Sequence, residues 1–532
     1  MTRVAFVDMN PYKEPNGGSR FCDPVHLVPM ANICKKNGNQ TKIFQNGLDP
    51  RREIAEFRPE ILGLSFIGSS KDAISDAQQL IKSLKPRPIT VIGGTDIKYH
   101  ADYYAEQFGP YFSRLSDSGP ELILVSNEGE AFIEAYAGNG FNFELAARAL
   151  SDMSYRDSGD RLGFGMLCTK NAYILSPLPV KKLDDLDFTR DYNVGGFETA
   201  QVKWESGCWG SCFYCGNDPK SIDYRSPELV GQELRELKEK GVKGIGIASA
   251  NFTANPDRAS AIVSVLSYMP HGYYFLSRVD SLDASLKRHP EAWKRFARFG
   301  NTIGLGIERF TSDHLVGIGK YKNKRQAMKQ EERLKYILEL FKGTATTISF
   351  SLMNLDWKMD LAEAQAEAER AQAYLAEYPD NVEIRTNSIG SHIIYDPGSQ
   401  FSKSMAPVDY LRFKRDPRLL LLVALMMERR ERLPFVYSQA ESRLLEKHFL
   451  AFYLGVIDRL KAVPTEKLDL DQATETFSKK NNYSTTKKSL CSKLGFWETR
   501  RLERDINGLF NKMIDVFESE RDSARGLVMR PL

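Results

Sequence analysis

Three cysteines fall within eight residues, Cys208-Trp209-Gly210-Ser211-Cys212-Phe213-Tyr214-Cys215. Three thiolates at C-x3-C-x2-C spacing cannot complete a four-ligand zinc site, and no further Cys or His follows nearby to close one. The same three can hold three irons of a [4Fe–4S] cube, leaving the fourth open to a ligand that is not protein. An open iron beside a bound molecule is a reaction centre, so the chain reads as a redox enzyme. Gly207 and Gly210 let the backbone wrap closely around such a cluster, and Phe213 and Tyr214 can shield it from water.

At 532 residues the chain is long enough for two or three domains. Its 73 Lys and Arg nearly balance 69 Asp and Glu. That gives no general pull toward nucleic acid or an anionic membrane, and neither is expected as a partner. Residues Met1–Asp8 form a short apolar run rather than a signal peptide, and the longest apolar stretch, Leu419–Met427, is far short of a membrane span. The other four cysteines, Cys22, Cys34, Cys168 and Cys491, are scattered singly. They suit small buried positions in a reducing cytoplasm better than a disulfide framework.

Residues 1–140 alternate short apolar runs with helical patterns. Val4–Val7, Thr41–Phe44, Ile61–Ser65, Ile89–Ile92 and Leu122–Val125 have strand length. Asp72–Leu84 carries Ala73, Ala77, Leu80, Ile81 and Leu84 on one helical face. Five strands with helical crossovers predict an α/β, doubly wound, flavodoxin-like (Rossmann-like) sheet, with ligands beyond the carboxyl ends of the strands. The loops there are Asp8–Arg20, Ser65–Ser70, Gly93–Asp96 and Asn127–Glu130. Residues 141–195 show little periodicity and read as a linker or strap. Six further strands, Thr199–Trp204, Lys243–Ala248, Tyr273–Leu276, Thr302–Ile307, Thr346–Leu352 and Val382–Asn387, alternate with helices and predict a partial (β/α)6 barrel over 196–400. Two of those helices have legible starts: Ser226 as N-cap with Pro227 behind it, and Asp360 with Glu363 as a capping box. Residues 401–532 read as an α-helical cap domain, with Leu502, Ile506, Leu509, Phe510, Met513, Ile514 and Phe517 as one stripe and Lys479–Lys488 as a solvated basic loop.

At the cysteines the sequence resembles the radical SAM superfamily. Its signature is C-x3-C-x-φ-C, with φ aromatic, in the loop after the first strand of a partial barrel. Cys208, Cys212, Tyr214 and Cys215 match position for position. The resemblance implies that the three cysteines hold a [4Fe–4S] cluster whose open iron chelates S-adenosylmethionine (SAM), with Tyr214 beside it. Reduction of the cluster would then cleave the sulfonium to a 5′-deoxyadenosyl radical. Ser277-Arg278-Val279-Asp280 resembles the family's S-R-x-D segment, and Gly304-Leu305-Gly306-Ile307-Glu308 its G-x-G-x-E segment. By that likeness Arg278 lies near the methionyl carboxylate or ribose, and Glu308 accepts hydrogen bonds from SAM. After the second barrel strand the chain reads Ala248-Ser249-Ala250-Asn251-Phe252-Thr253, where relatives often carry acidic residues before Phe-Thr. Ser249 and Asn251 can still bond the methionyl amine, with less local charge.

A flavodoxin-like domain, a strap and then the cysteine triad is the order of the cobalamin-binding radical SAM enzymes. Pro59–Ser65, Val91–Thr95 and Asn127–Glu130 resemble that family's P-D-x-x-G-x-S, G-G-x and G-E-G-E segments. The resemblance spans about residues 1–400 and implies a cobalamin site at Ser65, Gly68, Ser69, Gly93, Gly94, Glu128 and Gly129. The D-x-H-x-x-G motif that supplies a cobalt-ligating His is absent, and His26 reads as a helix-start residue. The alternative is a domain that keeps the fold and binds no corrin.

The function implied is C-methylation of an unactivated carbon, with cobalt carrying the methyl group and an external flavodoxin- or ferredoxin-type donor supplying electrons. The substrate would be a small-molecule natural-product intermediate or a peptide. Radical cyclisation, ring contraction or rearrangement on the same scaffold is the alternative enzyme, and a non-catalytic Fe–S or corrin sensor the alternative class. Tyr395, Phe401, Tyr410, Phe413, Lys414 and Arg415 could favour an anionic or aromatic substrate, or be ordinary surface and core. No catalytic acid or base can be nominated.

Overall fold

In the N-terminal sheet successive residues of each strand are buried on opposite faces. Ala5 and Val7 join Leu62, Leu64, Ile92, Leu122 and Leu124 in one core, while Val4 and Phe6 join Ile61, Val91, Ile123 and Val125 in another. Strands buried on both faces need helices on both, which is why these runs are continuously apolar rather than alternating. Helices Lys71–Ser83 and Ile97–Phe108 cover the first face, and Val28–Lys36, Glu130–Gly138 and Phe143–Asp157 the second.

The computed structural model describes residues 1–9, 25–45, 51–66, 71–94, 97–112, 121–125, 129–157, 165–168, 173–176, 182–190, 199–215, 222–267, 272–353, 359–384, 416–430, 432–434, 439–473 and 483–528. Two compact units are present, one of residues 1–14, 19–206 and 223–248, the other of 15–18, 207–222 and 249–532.

The first unit contains a seven-stranded sheet of β1 (Arg3–Asp8), β2 (Gln40–Gln45), β3 (Ile61–Ser65), β4 (Ile89–Gly93), β5 (Leu122–Val125), β6 (Gly165–Cys168) and β7 (Tyr173–Ser176). Their order is β2-β1-β3-β4-β5-β7-β6, so the five expected strands have the flavodoxin-like order, with the switch point at β1/β3. The strap expectation needs correcting. Helix Phe143–Asp157 lies inside it, β7 adds in parallel to β5, and β6 closes the edge antiparallel to β7. Four-residue strands are too short to show a period, which is why they escape a sequence reading. This unit also holds β8 (Thr199–Val202), β9 (Glu205–Ser206), β10 (Asp223–Tyr224) and β11 (Gly244–Ile247), with β8 and β11 paired in parallel.

The second unit carries β12 (Gly272–Arg278), β13 (Thr302–Glu308), β14 (Thr347–Leu352) and β15 (Val382–Ile384), each parallel to the next. Helices Val279–Arg288, Lys324–Phe341 and Leu361–Glu377 follow the first three strands. Asp360 and Glu363 form both halves of the capping box, each at 2.9 Å. Ser226 occupies the N-cap position before Pro227, but its side chain makes no capping bond. After residue 416 the described chain is helical: Arg418–Arg430, Gln439–Leu460, Tyr483–Leu490 and Phe496–Val528. Ile506, Phe510, Met513 and Phe517 are buried, as the stripe predicts. The basic segment 479–488 is corrected in its described part. Tyr483–Leu490 is a helix, and Lys487 is buried because Glu428 (2.7 Å) and Glu503 (3.2 Å) neutralise it. No described helix is long and apolar enough to cross a membrane.

Candidate active site

The cysteine loop is held by its own backbone and by the turn at 318–321. Cys215 N–H donates to Cys212 O (3.1 Å) and Phe213 N–H to Ile318 O (3.0 Å). Gly207 enters the loop at φ +92°, in the left-handed region that glycine adopts without strain. The Phe213 ring lies so close to Gly319 that a Cβ there would meet it at 2.5 Å. Gly210 N–H points at Cys208 Sγ, 3.3 Å away.

Arg278 ends β12, nine-tenths buried, and its guanidinium is engaged on every edge. Nε and Nη2 grip the two oxygens of Asp280, both at 3.1 Å; Nη2 also donates to Lys320 O at 2.9 Å, and Nη1 to Cys212 Sγ at 3.2 Å. The Trp209 ring lies 4.8 Å from its carbon and the Tyr321 ring 5.7 Å. Burial alone would lower this group's pKa, but the Asp280 carboxylate outweighs it and holds the guanidinium above its ordinary range.

Glu308 closes β13 at φ +63°, where the register against β14 shifts. A non-glycine residue in the left-handed region carries strain of the kind found at functional positions. Lys320, its side chain 1% exposed, lies 3.5 Å from the Glu308 carboxylate and donates to Gly306 O. Burial lowers its pKa, opposed by the Glu308 charge. Tyr214 packs on Leu315, Ile318, Tyr321 and Ala327. Its hydroxyl is pushed well above the usual range by burial, then by the charges of Glu308 and Cys212.

The two candidates after β11 diverge. Asn251 is fully buried, accepting from Arg278 N–H (3.2 Å) and donating to Ser281 Oγ (3.0 Å). It fixes the end of β12. The Ser249 hydroxyl is buried without a hydrogen-bond partner among the described residues, as expected of a group that waits for one.

In the first unit Ser65 is buried at the carboxyl end of β3, level with Asp8 of β1 and Gly93 of β4. Gly129 precedes helix Glu130–Gly138. Gly94, at φ +115°, answers to packing, because a Cβ there would lie 2.0 Å from Phe66 O. Gly68, Ser69 and Glu128 lie outside the described residues, as do Tyr395, Phe401, Tyr410, Phe413, Lys414 and Arg415. His26 sits in the turn before helix Val28–Lys36.

Among the described residues no three His, Cys, Asp or Glu side chains gather around a single ion. A cubane asks for something different, one thiolate on each of three separate irons. The donor set fits it: three cysteines on one loop, N–H groups directed at two of their sulfurs, and glycine where the backbone passes Cys208. Sequence reading missed Lys320 and Tyr321, which no motif marks, and gave no role to Trp209 and Asp280, although they stood in the quoted Cys208–Cys215 and S-R-x-D segments.

Residues 204–378 match the radical SAM superfamily. No curated protein matches the chain in sequence. Two solved structures share its fold, both of TsrM, a radical S-adenosylmethionine methyltransferase from Kitasatospora setae. One, with tryptophan substrate and a SAM analogue bound, has 13% identity and a TM-score of 0.52, and the match covers 72% of this chain and 73% of that one. The other, with cobalamin and a [4Fe-4S] cluster bound, has 13% identity and a TM-score of 0.51, covering 72% of each. The chain thus carries a radical SAM domain, at residues 204–378, within a fold shared with the TsrM methyltransferase.

Proposed function

We propose that this enzyme is a cobalamin-dependent radical SAM C-methyltransferase acting on an unactivated carbon of a small-molecule natural-product intermediate or a peptide. The observation that carries the reading is the cysteine loop, in which two sulfurs already receive N–H donors from Gly210 and Arg278. Cys208, Cys212 and Cys215 would hold the [4Fe–4S] cluster; Glu308 and Ser249 would meet SAM, with Tyr214 beside it. Ser65, Gly93, Gly94 and Gly129 border the strand ends where a corrin would lie, and Gly68, Ser69 and Glu128 would complete that site. When bound, the cluster and SAM supply radical chemistry and the corrin a transferable methyl group. The chain's part is to bind, orient and exclude water. Lys320 holds the Glu308 carboxylate, Asn251 and Ser281 hold the end of β12, and Tyr214 and Phe213 cover the loop.

An external one-electron donor would reduce the cluster. The reading divides the chain into a corrin-binding domain at 1–140, a connecting region at 141–195 whose β6 and β7 extend the sheet of that domain, a barrel at 196–400 and a helical cap at 401–532. A cytoplasmic setting is consistent with Cys34 and Cys491, whose thiols burial raises to about 12 and about 11.

Anaerobic reconstitution with iron, sulfide and cobalamin, followed by SAM and dithionite, tests the reading. The expected products are 5′-deoxyadenosine and S-adenosylhomocysteine, with corrin bound near one per chain. Serine at positions 208, 212 and 215 should abolish both products. Deoxyadenosine without S-adenosylhomocysteine, in the presence of substrate, would point to rearrangement instead.

A further inference from the structure

Arg278 is placed differently from a residue kept for a ligand's carboxylate. A guanidinium binds a carboxylate through two parallel N–H groups, and here that fork is already filled by Asp280. Of the remaining edges one meets Lys320 O and the other Cys212 Sγ. Trp209 and Tyr321 border its carbon at cation–π distance. Asn251 holds the backbone N–H of the same residue, so both the main chain and the side chain of Arg278 are anchored. Gly210 permits the approach, since a Cβ there would lie 3.1 Å from Nη1.

We propose, resting on the reading of Cys212 as a cluster ligand, that Arg278 is a positioning residue that tunes the cluster: its hydrogen bond to Cys212 Sγ raises the reduction potential. Each reduction adds one electron from the external donor to the cluster, with no bond formed or broken and no proton moved. The added negative charge is shared by the thiolate sulfurs, so an N–H donor on one of them stabilises the reduced form more than the oxidised form. The donor side of that bond is nine-tenths buried, which strengthens it relative to the same bond in water. Asp280 fixes the aim of the guanidinium.

The test is a potentiometric titration of the reconstituted holoenzyme, followed by the paramagnetic signal of the reduced cluster, for wild type, Arg278→Met, Arg278→Lys and Asp280→Asn. At a fixed potential the reduced-to-oxidised ratio should fall about tenfold in Arg278→Met, equivalent to about 59 mV for one electron. It should fall less in Arg278→Lys and Asp280→Asn, while SAM affinity changes less than the ratio does in all three. An unchanged potential together with SAM binding weakened about tenfold or more would overturn the proposal and return Arg278 to a ligand clamp. If Arg278→Met takes up no cluster, wild type grown with guanidino-15N arginine decides. A nitrogen hyperfine coupling on the reduced cluster supports the bond, and its absence overturns it. A wild-type chain that takes up no cluster would instead overturn the functional reading, and this inference with it.

Discussion

A Cβ at position 210 would lie 3.1 Å from Arg278 Nη1 and 3.3 Å from Cys208 Sγ. Either neighbour would have to give by a few tenths of an ångström. Arg278 cannot move easily, because Asp280, Lys320 O and Trp209 hold it. The Cys208 sulfur must therefore shift, and with it the grip on one iron. Overpacking of this kind costs about 1–3 kcal/mol, which lowers cluster association by about 5- to 150-fold. Gly210→Ala is accordingly expected to fold normally, as judged by circular dichroism, yet to retain much less iron and sulfide after reconstitution with limiting iron. Iron content equal to wild type would show that the loop relaxes around the methyl group. The cysteine spacing is legible in sequence because all three ligands sit on one short loop. The rest of the shell around Arg278 is not, because Cys212 comes from the cysteine loop and Lys320 and Tyr321 from the turn at 318–321, and neither shares a local pattern with residues 278–280.

At the scale of elements, Glu367 on helix Leu361–Glu377 fixes the exit of β13. Its two oxygens accept Phe310 N–H (2.6 Å) and Thr311 N–H (2.9 Å), just beyond the strained Glu308. Burial would raise its pKa, but the His314 ring, 3.9 Å away, and the hydrogen bonds from Thr311 and Phe310 outweigh that and bring it down to about 2, from 4.5. A folded pKa below the unfolded one contributes stability that is complete above about pH 4.5 and is lost as pH falls through about 2. At 1.36 kcal/mol per unit the contribution is about 3 kcal/mol. Glu367→Gln should flatten the acid limb of chain stability over that window, measured from denaturant midpoints of the cofactor-free protein at pH 6, 4 and 2.5. A variant whose midpoint falls as steeply as wild type would remove Glu367 from this role. No sequence pattern announces such a contact, since Glu367 looks like any acidic residue on a helix. The same helix's capping box was readable because Asp360 and Glu363 are three residues apart. The edge strands β6 and β7 were not, because their pairing with β5 is a long-range fact that four-residue runs cannot encode.

At the scale of the whole molecule, periodicity places a boundary at residue 195, whereas the compact first unit keeps 199–206 and 223–248 together with the N-terminal sheet. The reason is a buried clasp on residues 182–190. Arg190, 1% exposed, donates to Glu233 (2.7 Å) and Gln201 O (2.5 Å), and its own N–H reaches Glu236 (3.0 Å). Trp204 Nε1 takes the other Glu233 oxygen at 2.8 Å. On the opposite side Asn32, from helix Val28–Lys36, donates to Asp187 O (2.9 Å) and Thr189 O (2.8 Å). The segment that reads as a strap thus joins the sheet to helix Pro227–Glu239 through charges that a break would leave uncompensated. Removing one partner of such a buried pair costs about 3–5 kcal/mol. Glu233→Ala should lose about that much stability and open residues 182–190 to limited proteolysis. A fragment ending at residue 195 should be cut there too, while one ending at residue 248 resists. Equal protection of the two fragments would mean that the sheet holds the strap through Asn32 alone, and that the periodicity boundary at 195 is also the physical one.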